Sequence, residues 1–267
     1  MVFLQTIPAV AEPAFQTWHA LLLGVVEGVT EFLPVSSTAH LILTADALHL
    51  TGSEFLKSFE IIIQLGAILS VIVLYWRRFL DWEVLKKLAV AFVPTGVIGL
   101  AMYKVVKQLL GSVEVVLWTL LIGGVALIVF ERFKRYADRD PDFSEITYRK
   151  ALLIGLFQAI AIVPGVSRSA ATIVGGSLIG ISKRTIVEFS FMLAVPTMLA
   201  ATGLELLKGY GALAGHFGTL AIGFVVSFIV AILAIKSFLA YLKRRDFSAF
   251  GWYRIIVAIA FYLIVLR

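Results

Sequence analysis

The sequence predicts an all-α polytopic membrane protein with six transmembrane helices and two re-entrant helical hairpins, arranged as an inverted-topology repeat. Three observations predict this class: the apolar composition, two apolar regions broken by Pro, Gly and hydroxyl residues, and a similarity between the halves of the chain. Hydrophobic residues make up 60% and charged residues 15% of the 267 residues, and the mean hydropathy is +0.98. A soluble domain is about half apolar and about a quarter charged, so lipid is the expected solvent. The absence of cysteine excludes disulfides and thiol nucleophiles.

Six apolar runs have about the length that a membrane span needs. They cover residues 59–76, 88–103, 115–130, 186–207, 220–242 and 252–266. Two further apolar regions, 18–50 and 151–180, are interrupted by residues 34–38 (PVSST) and 164–169 (PGVSRS). A regular helix does not continue through such segments, because Pro lacks the backbone donor and Gly and Ser favour turns. Each region is therefore predicted to be a hairpin that enters the membrane and returns on the same side.

The distribution of Lys and Arg predicts the orientation. With Arg77 placed inside and each span crossing once, sixteen of the 23 Lys and Arg residues fall in inner loops and five on the outer side. Arg254 is counted among the inner-loop residues, whereas Arg168 and Lys236 fall within apolar segments. An excess of inner positive charge is typical of membrane proteins. The formal net charge of +6 is therefore assigned to topology and not to a nucleic-acid partner, and both termini are expected outside.

The two halves of the chain resemble each other. The similar segments are 24–27 (GVVE) with 155–158 (GLFQ), and 34–38 (PVSST) with 165–169 (GVSRS). The predicted repeats are residues 1–135 and 136–267, each with one hairpin and three spans. An odd number of spans turns the second repeat upside down relative to the first. Broken helices at matched positions predict a site near the middle of the membrane, where the hairpins meet.

Two carboxylates of the first hairpin stand at positions i and i+4. Glu27 and Glu31 therefore project from one face of a helix, and carboxylates this close at membrane depth need a cation or a shared proton. A divalent cation, Mg²⁺ or Ca²⁺, held by both residues and by a substrate phosphate satisfies that need. The alternative is a structural pair of carboxylates that is protonated or neutralised by a partner.

Hydroxyl residues open the returning helix of each hairpin. Ser36, Ser37 and Thr38 follow Pro34, where hydroxyls and free N–H groups at a helix N-terminus form an expected anion site. His40 lies three residues after Ser37 and can share its face, which suits activation of a nucleophile or protonation of a leaving group. The alternative assigns Ser37 to helix capping and His40 to an ordinary hydrogen bond.

The second hairpin adds a cation to the predicted site. Arg168 stands between Ser167 and Ser169, and its guanidinium stays charged when buried and binds phosphate oxygens as a fork. Thr172, one turn later, is expected to add a hydroxyl to the same rim. The alternative is that Arg168 pairs with an acid of the first hairpin only to neutralise charge.

Residues 27–40 (EGVTEFLPVSSTAH) and 164–172 (PGVSRSAAT) together resemble the undecaprenyl-diphosphatase family of bacteria, also called bacitracin-resistance proteins. The resemblance covers nearly the whole chain, although Ala39 stands where many members have glycine. It implies hydrolysis of undecaprenyl diphosphate to the monophosphate and inorganic phosphate, which recycles the lipid carrier of cell-wall synthesis. It also implies a divalent cation and a site that opens to the outer face of the bacterial inner membrane.

The resemblance implies a role for each candidate residue. Glu27 and Glu31 match the acidic pair of the family, His40 its essential histidine and Arg168 its phosphate-binding arginine. Ser37 matches the serine of the first signature, and the hydroxyls of the second signature are those of Ser167, Ser169 and Thr172. The nucleophile stays open between Ser37, His40 and water. The expected partners are a polyprenyl diphosphate and membrane lipids, and a homodimer is a further expectation that no motif specifies.

A carrier is the alternative from another functional class. Inverted repeats with paired re-entrant hairpins also build transporters, so a lipid or anion transporter or flippase has the same predicted architecture. A carrier has no need of a hydroxyl, a histidine and two carboxylates in one place, which favours the phosphatase. Translocation that survives the substitution Ser37→Ala would favour the carrier.

Overall fold

The computed structural model describes residues 15–50, 54–109, 112–134, 141–206 and 216–265, and within these ranges the chain is helical and has no strand. The described residues form eleven α-helices: α1 Thr17–Thr30, α2 Ser37–Ala47, α3 Glu54–Tyr75, α4 Trp82–Ala101, α5 Tyr103–Leu109, α6 Val113–Phe133, α7 Tyr148–Ala159, α8 Arg168–Leu178, α9 Lys183–Leu206, α10 Phe217–Leu242 and α11 Ser248–Val265. The predicted all-α class is therefore confirmed.

Both predicted hairpins are helices with a break in the middle. In the first, α1 ends at Thr30 and α2 begins at Ser37; in the second, α7 ends at Ala159 and α8 begins at Arg168. α1 packs against α2 and α7 packs against α8, so the chain folds back at each break. The six residues 31–36 are called the first break below, and residues 163–167 the second break. Entry and return of each hairpin on the same membrane side stays a prediction.

Five of the described helices, α3, α4, α6, α9 and α10, are long and apolar enough to cross a membrane. They correspond to five of the predicted spans, and the sixth, 252–266, corresponds to the shorter apolar helix α11. The predicted start at residue 88 is wrong, because α4 begins at Trp82, where the Asp81 side chain caps it by accepting the Glu83 N–H at 2.9 Å. α4 ends at Ala101, so the predicted end at residue 103 lies in α5. The chain is a multi-pass membrane protein.

The surfaces of the long helices carry apolar side chains. On α10, Val225, Ile229 and Leu233 are about half exposed and lie four residues apart, so they share one face. Contiguous apolar surface of this kind is rare on soluble monomers, and a lipid environment explains it. α9 is the most buried of the five long helices, and it places Ser190 beside the first turn of α8.

The hairpins pack on the helices of the opposite half. α1 lies on α10 and α7 lies on α4. A Cβ atom on Gly24 would lie 2.9 Å from the Gly223 carbonyl oxygen, and one on Gly155 would lie 2.1 Å from the Ala91 carbonyl oxygen, so both crossings require glycine. Such reciprocal contacts are expected of an inverted repeat. The inversion stays a prediction, and the predicted division between residues 135 and 136 lies outside the described residues.

The structure corrects the placement of one basic residue. The charge distribution assigns Arg254 to the inner loops, but Arg254 lies inside α11 and only 1% of it is exposed. That assignment is wrong because α11 begins at Ser248, before the predicted start of the span at residue 252, and carries Arg254 into the protein. Main-chain carbonyl groups surround the guanidinium there.

Candidate active site

The two hairpin breaks lie against each other inside the protein. The Ser169 hydroxyl of α8 donates to the Leu33 carbonyl oxygen of the first break at 2.8 Å. Arg168 Nη2 donates to Glu31 Oε1 at 2.9 Å, and both side chains are largely buried. Arg168 and Ser169 are the first two residues of α8, so the N-terminus of this helix meets the first break. Unpaired N–H groups at a helix N-terminus favour a bound anion.

Glu31 connects the two hairpins. Its Oε1 atom accepts from Arg168 of the second hairpin, and its Oε2 atom accepts from the Ser37 hydroxyl of the first. Glu31 directly follows α1 and Ser37 begins α2, so the turn of the first break brings the two side chains together. Both are buried. A hydroxyl that donates to a carboxylate can pass its proton to that carboxylate, which is how a base activates an oxygen nucleophile.

Ser36 shapes the first break through its backbone. Its φ angle of +72° lies in the left-handed region, which is uncommon for a residue with a side chain. Its hydroxyl caps α2 by accepting the Ala39 N–H at 3.4 Å, and its carbonyl oxygen lies 2.7 Å from His40 Nδ1. Strained backbone of this kind is found at functional sites, where the surrounding structure maintains it. Ser36 therefore turns the chain so that Ser37 and His40 follow in one helix.

The structure differs from the expected pair of Ser37 and His40. Because the Ser36 carbonyl can only accept, His40 Nδ1 carries a proton and donates to it, and in the neutral imidazole this leaves Nε2 as an acceptor. Nε2 lies 2.9 Å from the Tyr253 hydroxyl of α11, and the two rings are parallel, with centroids 5.5 Å apart. Ser37 has Glu31 as its partner. Tyr253 is thus a residue of the site that the sequence analysis did not identify.

Arg168 is held in place by α9 as well as by Glu31. Its Nη1 atom donates to the Ser190 carbonyl oxygen at 2.7 Å, and its Cζ atom lies 5.8 Å from the centre of the Phe32 ring. The structure differs from the expectation that Thr172 lines the rim. Thr172 is fully buried, and its hydroxyl lies 2.6 Å from the Ser190 hydroxyl. Thr172 therefore supports the contact of α8 with α9 behind Arg168.

The other predicted hydroxyls have distinct positions. The Ser167 side chain caps α8 by accepting the Ala170 N–H at 3.2 Å, and it lies 3.0 Å from the Ser169 hydroxyl. Both serines are buried, whereas Thr38, in the first turn of α2, is half-buried. Substrate contacts of these three residues stay predictions.

Glu27 and Arg168 have buried polar atoms without a partner. Glu27 is fully buried, and neither of its carboxylate oxygens has a hydrogen-bond partner in the described part of the chain. The Nε atom of Arg168 is also buried and unpaired. Buried polar atoms are nearly always hydrogen-bonded, so the unpaired acceptors of Glu27 and the unpaired donor of Arg168 are the groups of this site that could bind a cation and an anion.

The carboxylates of Glu27 and Glu31 are suited to a divalent cation. The helical turn continues between them, since the Glu31 N–H donates to the Glu27 carbonyl oxygen at 2.9 Å, which keeps the residues on one face. Within the described ranges no cluster of three or more His, Asp or Glu side chains could hold a metal ion by itself. A cation bound here would take its remaining ligands from a substrate and from water.

Comparison with known proteins identifies the family. Residues 20–260 match the model of the family described as bacitracin resistance protein BacA. The chain belongs to this family. The undecaprenyl-diphosphatases of Bdellovibrio bacteriovorus and Aquifex aeolicus are 48% and 47% identical to the chain, over 92% and 91% of its length and 95% and 96% of theirs. That of Wolinella succinogenes is 46% identical over 91% of this chain and 96% of its own. The BacA match includes both breaks as well as Tyr253 and Arg254.

Proposed function

We propose that this BacA-family protein hydrolyses undecaprenyl diphosphate to undecaprenyl phosphate and inorganic phosphate. One observation carries the proposal: Glu27 and the Nε atom of Arg168 are buried without partners around a serine that donates to a carboxylate. A diphosphate with its cation supplies what each unpaired atom lacks, and Ser37 supplies a nucleophile. The names of the related proteins support the same substrate.

The proposed cofactor is Mg²⁺ or Ca²⁺, held by Glu27 and Glu31. When bound, it would offset the charge of the two carboxylates and of the diphosphate oxygens. The fit rests on the unpaired Glu27 oxygens, which accept but cannot donate, and on their distance of one helical turn from Glu31. Hard oxygen ligands suit these cations better than softer transition metals.

In the proposed reaction Ser37 is the nucleophile. Its Oγ atom forms a bond to the terminal phosphorus, its proton passes to Glu31 Oε2, and the bond to the bridging oxygen breaks and releases undecaprenyl phosphate. Water then cleaves the phosphoserine to inorganic phosphate and restores the hydroxyl. The contact of Ser37 with Glu31 supports this order. His40 is less suited to attack, because Tyr253 and Ser36 occupy both of its ring nitrogens.

Arg168 and the start of α8 are proposed to bind the phosphates. Two of the guanidinium nitrogens are held by Glu31 and Ser190, and Nε is available for a phosphate oxygen. The fixed charge and the unpaired N–H groups at the α8 N-terminus stabilise the negative charge that develops in the transition state. Ser167, Ser169 and Thr172 are proposed to hold this helix start in place.

The proposed setting is the bacterial inner membrane, with a site that opens to the outer face and both termini outside. The bias of Lys and Arg toward one set of loops supports this orientation. The burial of a phosphatase site among spans suits a substrate whose prenyl tail remains in lipid. The inverted repeat and a homodimer remain proposals that the reaction itself does not require.

Phosphate release by the purified full-length protein tests the function. The substrate is a C15 or C55 prenyl diphosphate in detergent, with Mg²⁺, with Ca²⁺ or with EDTA. We expect cation-dependent release that falls by about 1,000-fold in Arg168→Ala and in Ser37→Ala. Ser70→Ala is the matched control, because Ser70 is also fully buried and its hydroxyl donates only to the Ala67 carbonyl of its own helix.

Two outcomes would change the assignment. A folded protein that binds the lipid but releases no phosphate would contradict the hydrolase and favour the carrier. Release that persists in Ser37→Ala would retain the hydrolase and assign the attack to water or to His40. Elution volume and melting temperature of each variant separate these outcomes from unfolding.

A further inference from the structure

Arg254 is a buried cation whose hydrogen bonds all go to main-chain carbonyl oxygens. Two of these carbonyls, Thr119 at 3.0 Å and Leu120 at 3.3 Å, belong to α6. The other two belong to the hairpins: Pro34 of the first break at 3.3 Å and Gly165 of the second break at 3.0 Å. One guanidinium therefore links both breaks to the pair of helices α6 and α11.

The breaks need such a partner because helical hydrogen bonding stops there. A carbonyl group without a donor is costly in the membrane interior, where water does not replace the helix. Arginine offers five N–H groups in a planar fork, so it can reach carbonyls from different segments at once. Only 1% of Arg254 is exposed, so the guanidinium is arranged for these carbonyls and not for solvent.

Thr119 makes a second contact to the second break. Its hydroxyl lies 2.8 Å from the Pro164 carbonyl oxygen and 2.9 Å from the Val116 carbonyl oxygen of its own helix, so its one proton is shared between them. Pro164 is one residue before the carbonyl that Arg254 binds. Gly165 has a φ angle of +85°, and a Cβ atom there would lie 1.9 Å from the Thr119 hydroxyl oxygen. Gly123 makes room for the guanidinium, since a Cβ atom on it would lie 2.2 Å from Arg254 Nη2. We call Arg254 and Thr119 the break clamp.

We infer that the break clamp positions the two hairpins relative to each other, so that Glu31 and Ser37 on one and Arg168 on the other act on a single diphosphate. Arg254 and Thr119 are positioning residues, because their donors bind main-chain carbonyls and reach the reacting groups only through the backbone of the breaks. The inference rests on the proposed hydrolysis. It goes beyond it by assigning the geometry of the site to α6 and α11, which contribute none of the proposed nucleophile, base or phosphate ligands.

The inference predicts a loss of rate and not of substrate affinity. A displacement of about 1 Å between reacting groups can lower the rate by about 100-fold. We expect Arg254→Gln to lower kcat of phosphate release by about 100-fold and to change KM by less than about 3-fold, since Arg254 does not touch the substrate. Arg254→Lys keeps the charge but loses the planar fork of donors, so its kcat is expected to lie between that of Arg254→Gln and that of the wild type.

The second readout is the distance between the hairpins. The chain has no cysteine, so spin labels can be attached only to Val29→Cys and Ile160→Cys, two exposed positions that precede the two breaks. Pulsed electron paramagnetic resonance of the full-length protein then gives the distance distribution between the labels. We expect Arg254→Gln and, more weakly, Thr119→Val to broaden it, with a fall in kcat of about 10-fold for Thr119→Val.

Lys134→Met is the matched control. Lys134 Nζ also donates to a main-chain carbonyl oxygen, that of Ser177 at 2.6 Å, but it joins the end of α6 to the last turn of α8 and not to a break. We expect this variant to keep both the distance distribution and kcat of the wild type.

Each outcome decides the inference. A folded Arg254→Gln protein with an unchanged distribution or an unchanged kcat would overturn it, and so would a rise in KM at constant kcat, because that would place Arg254 on the substrate. If Arg254→Gln does not fold, Arg254→Lys and Thr119→Val are judged by the same criteria. If even the wild type releases no phosphate, the proposed function fails, whereas the distance measurement still tests whether the clamp fixes the breaks.

Discussion

Where the first hairpin carries the Glu27 carboxylate, the second carries the Gln158 amide, and the two side chains differ in how they are satisfied. Gln158 Nε2 donates to the hydroxyls of Thr95 at 2.9 Å and Thr197 at 3.1 Å. Glu27 is equally buried and has no partner at either oxygen. The neutral residue thus joins two threonines through its amide nitrogen, with only its Oε1 atom unpaired, whereas both oxygens of the acidic residue have no partner among the described residues.

The first residues of the returning helices differ in the same way. α2 begins at Ser37 and α8 begins at Arg168, at matched positions of the two repeats. One supplies a hydroxyl and the other a cation, and both contact Glu31. In the proposed reaction the two similar hairpins therefore contribute unlike parts of one site, with acid and nucleophile on one side and phosphate binding on the other.

Substitution of Glu27 is expected to have the largest effect on this comparison. Glu27→Gln gives the first hairpin the side chain of the second, and we expect phosphate release to fall by about 1,000-fold because the proposed cation loses a ligand. The chelator-treated protein should become more stable by about 1–3 kcal/mol, since an unpaired buried charge is removed. Phosphate release and melting temperature measure the two effects.

A fall in phosphate release together with a rise in stability is the result expected for Glu27→Gln if Glu27 binds the proposed cation. A variant that loses both activity and stability in EDTA would show that Glu27 holds the protein together, as in the structural alternative for the acidic pair. Ser70→Ala again serves as the control for a buried polar residue outside the site.

Much of this site could be predicted from the sequence because its residues stand in broken apolar segments. Charged side chains such as Glu27, Glu31 and Arg168 are conspicuous at membrane depth, and Pro34 and Pro164 mark the breaks. The hairpins therefore followed from local chemistry. The pairing of Ser37 with Glu31 instead of His40 did not, because residue spacing on a helix does not specify which neighbour a hydroxyl contacts across a turn.

The contributions of α11 were missed for a different reason. Tyr253 and Arg254 lie near the start of the predicted span, where an aromatic and a basic residue ordinarily indicate the membrane interface. The partners of Arg254 are main-chain carbonyls, which every residue has, so no acidic side chain in the sequence indicates where they lie. A position that brings carbonyls of residues 34 and 165 to one side chain depends on tertiary contacts, and local patterns do not encode it.

The contact of Tyr253 with His40 gives a smaller test of the difference between the two hairpins. His40 lies in α2 of the first hairpin, and α8 of the second hairpin has no histidine. Tyr253→Phe removes the hydroxyl that donates to His40 Nε2. We expect kcat to fall by about 10-fold, since the imidazole of His40 is then less firmly oriented in the site. Tyr262→Phe, an exposed tyrosine on the same helix, is the control.

A double-mutant cycle makes the Tyr253 result specific. In a His40→Ala background the substitution Tyr253→Phe should have almost no further effect, because its partner is already absent. Equal losses in both backgrounds would show that Tyr253 acts independently of His40, for instance by packing.

Gln158→Met is expected to have the smallest effect on activity and so limits how far the comparison extends. The amide of Gln158 lies in the second hairpin, at the position that aligns with Glu27. Its Nε2 atom donates to the hydroxyls of Thr95 and Thr197. We expect phosphate release within about 3-fold of the wild type and a stability loss of about 1 kcal/mol, because two hydroxyls lose a donor while the unpaired Gln158 Oε1 atom is also removed. Melting temperature and kcat of the purified variant measure this. A fall in kcat comparable to that of Glu27→Gln would mean that the two hairpins share the chemistry, and the division into a reactive half and a phosphate-binding half would have to be abandoned.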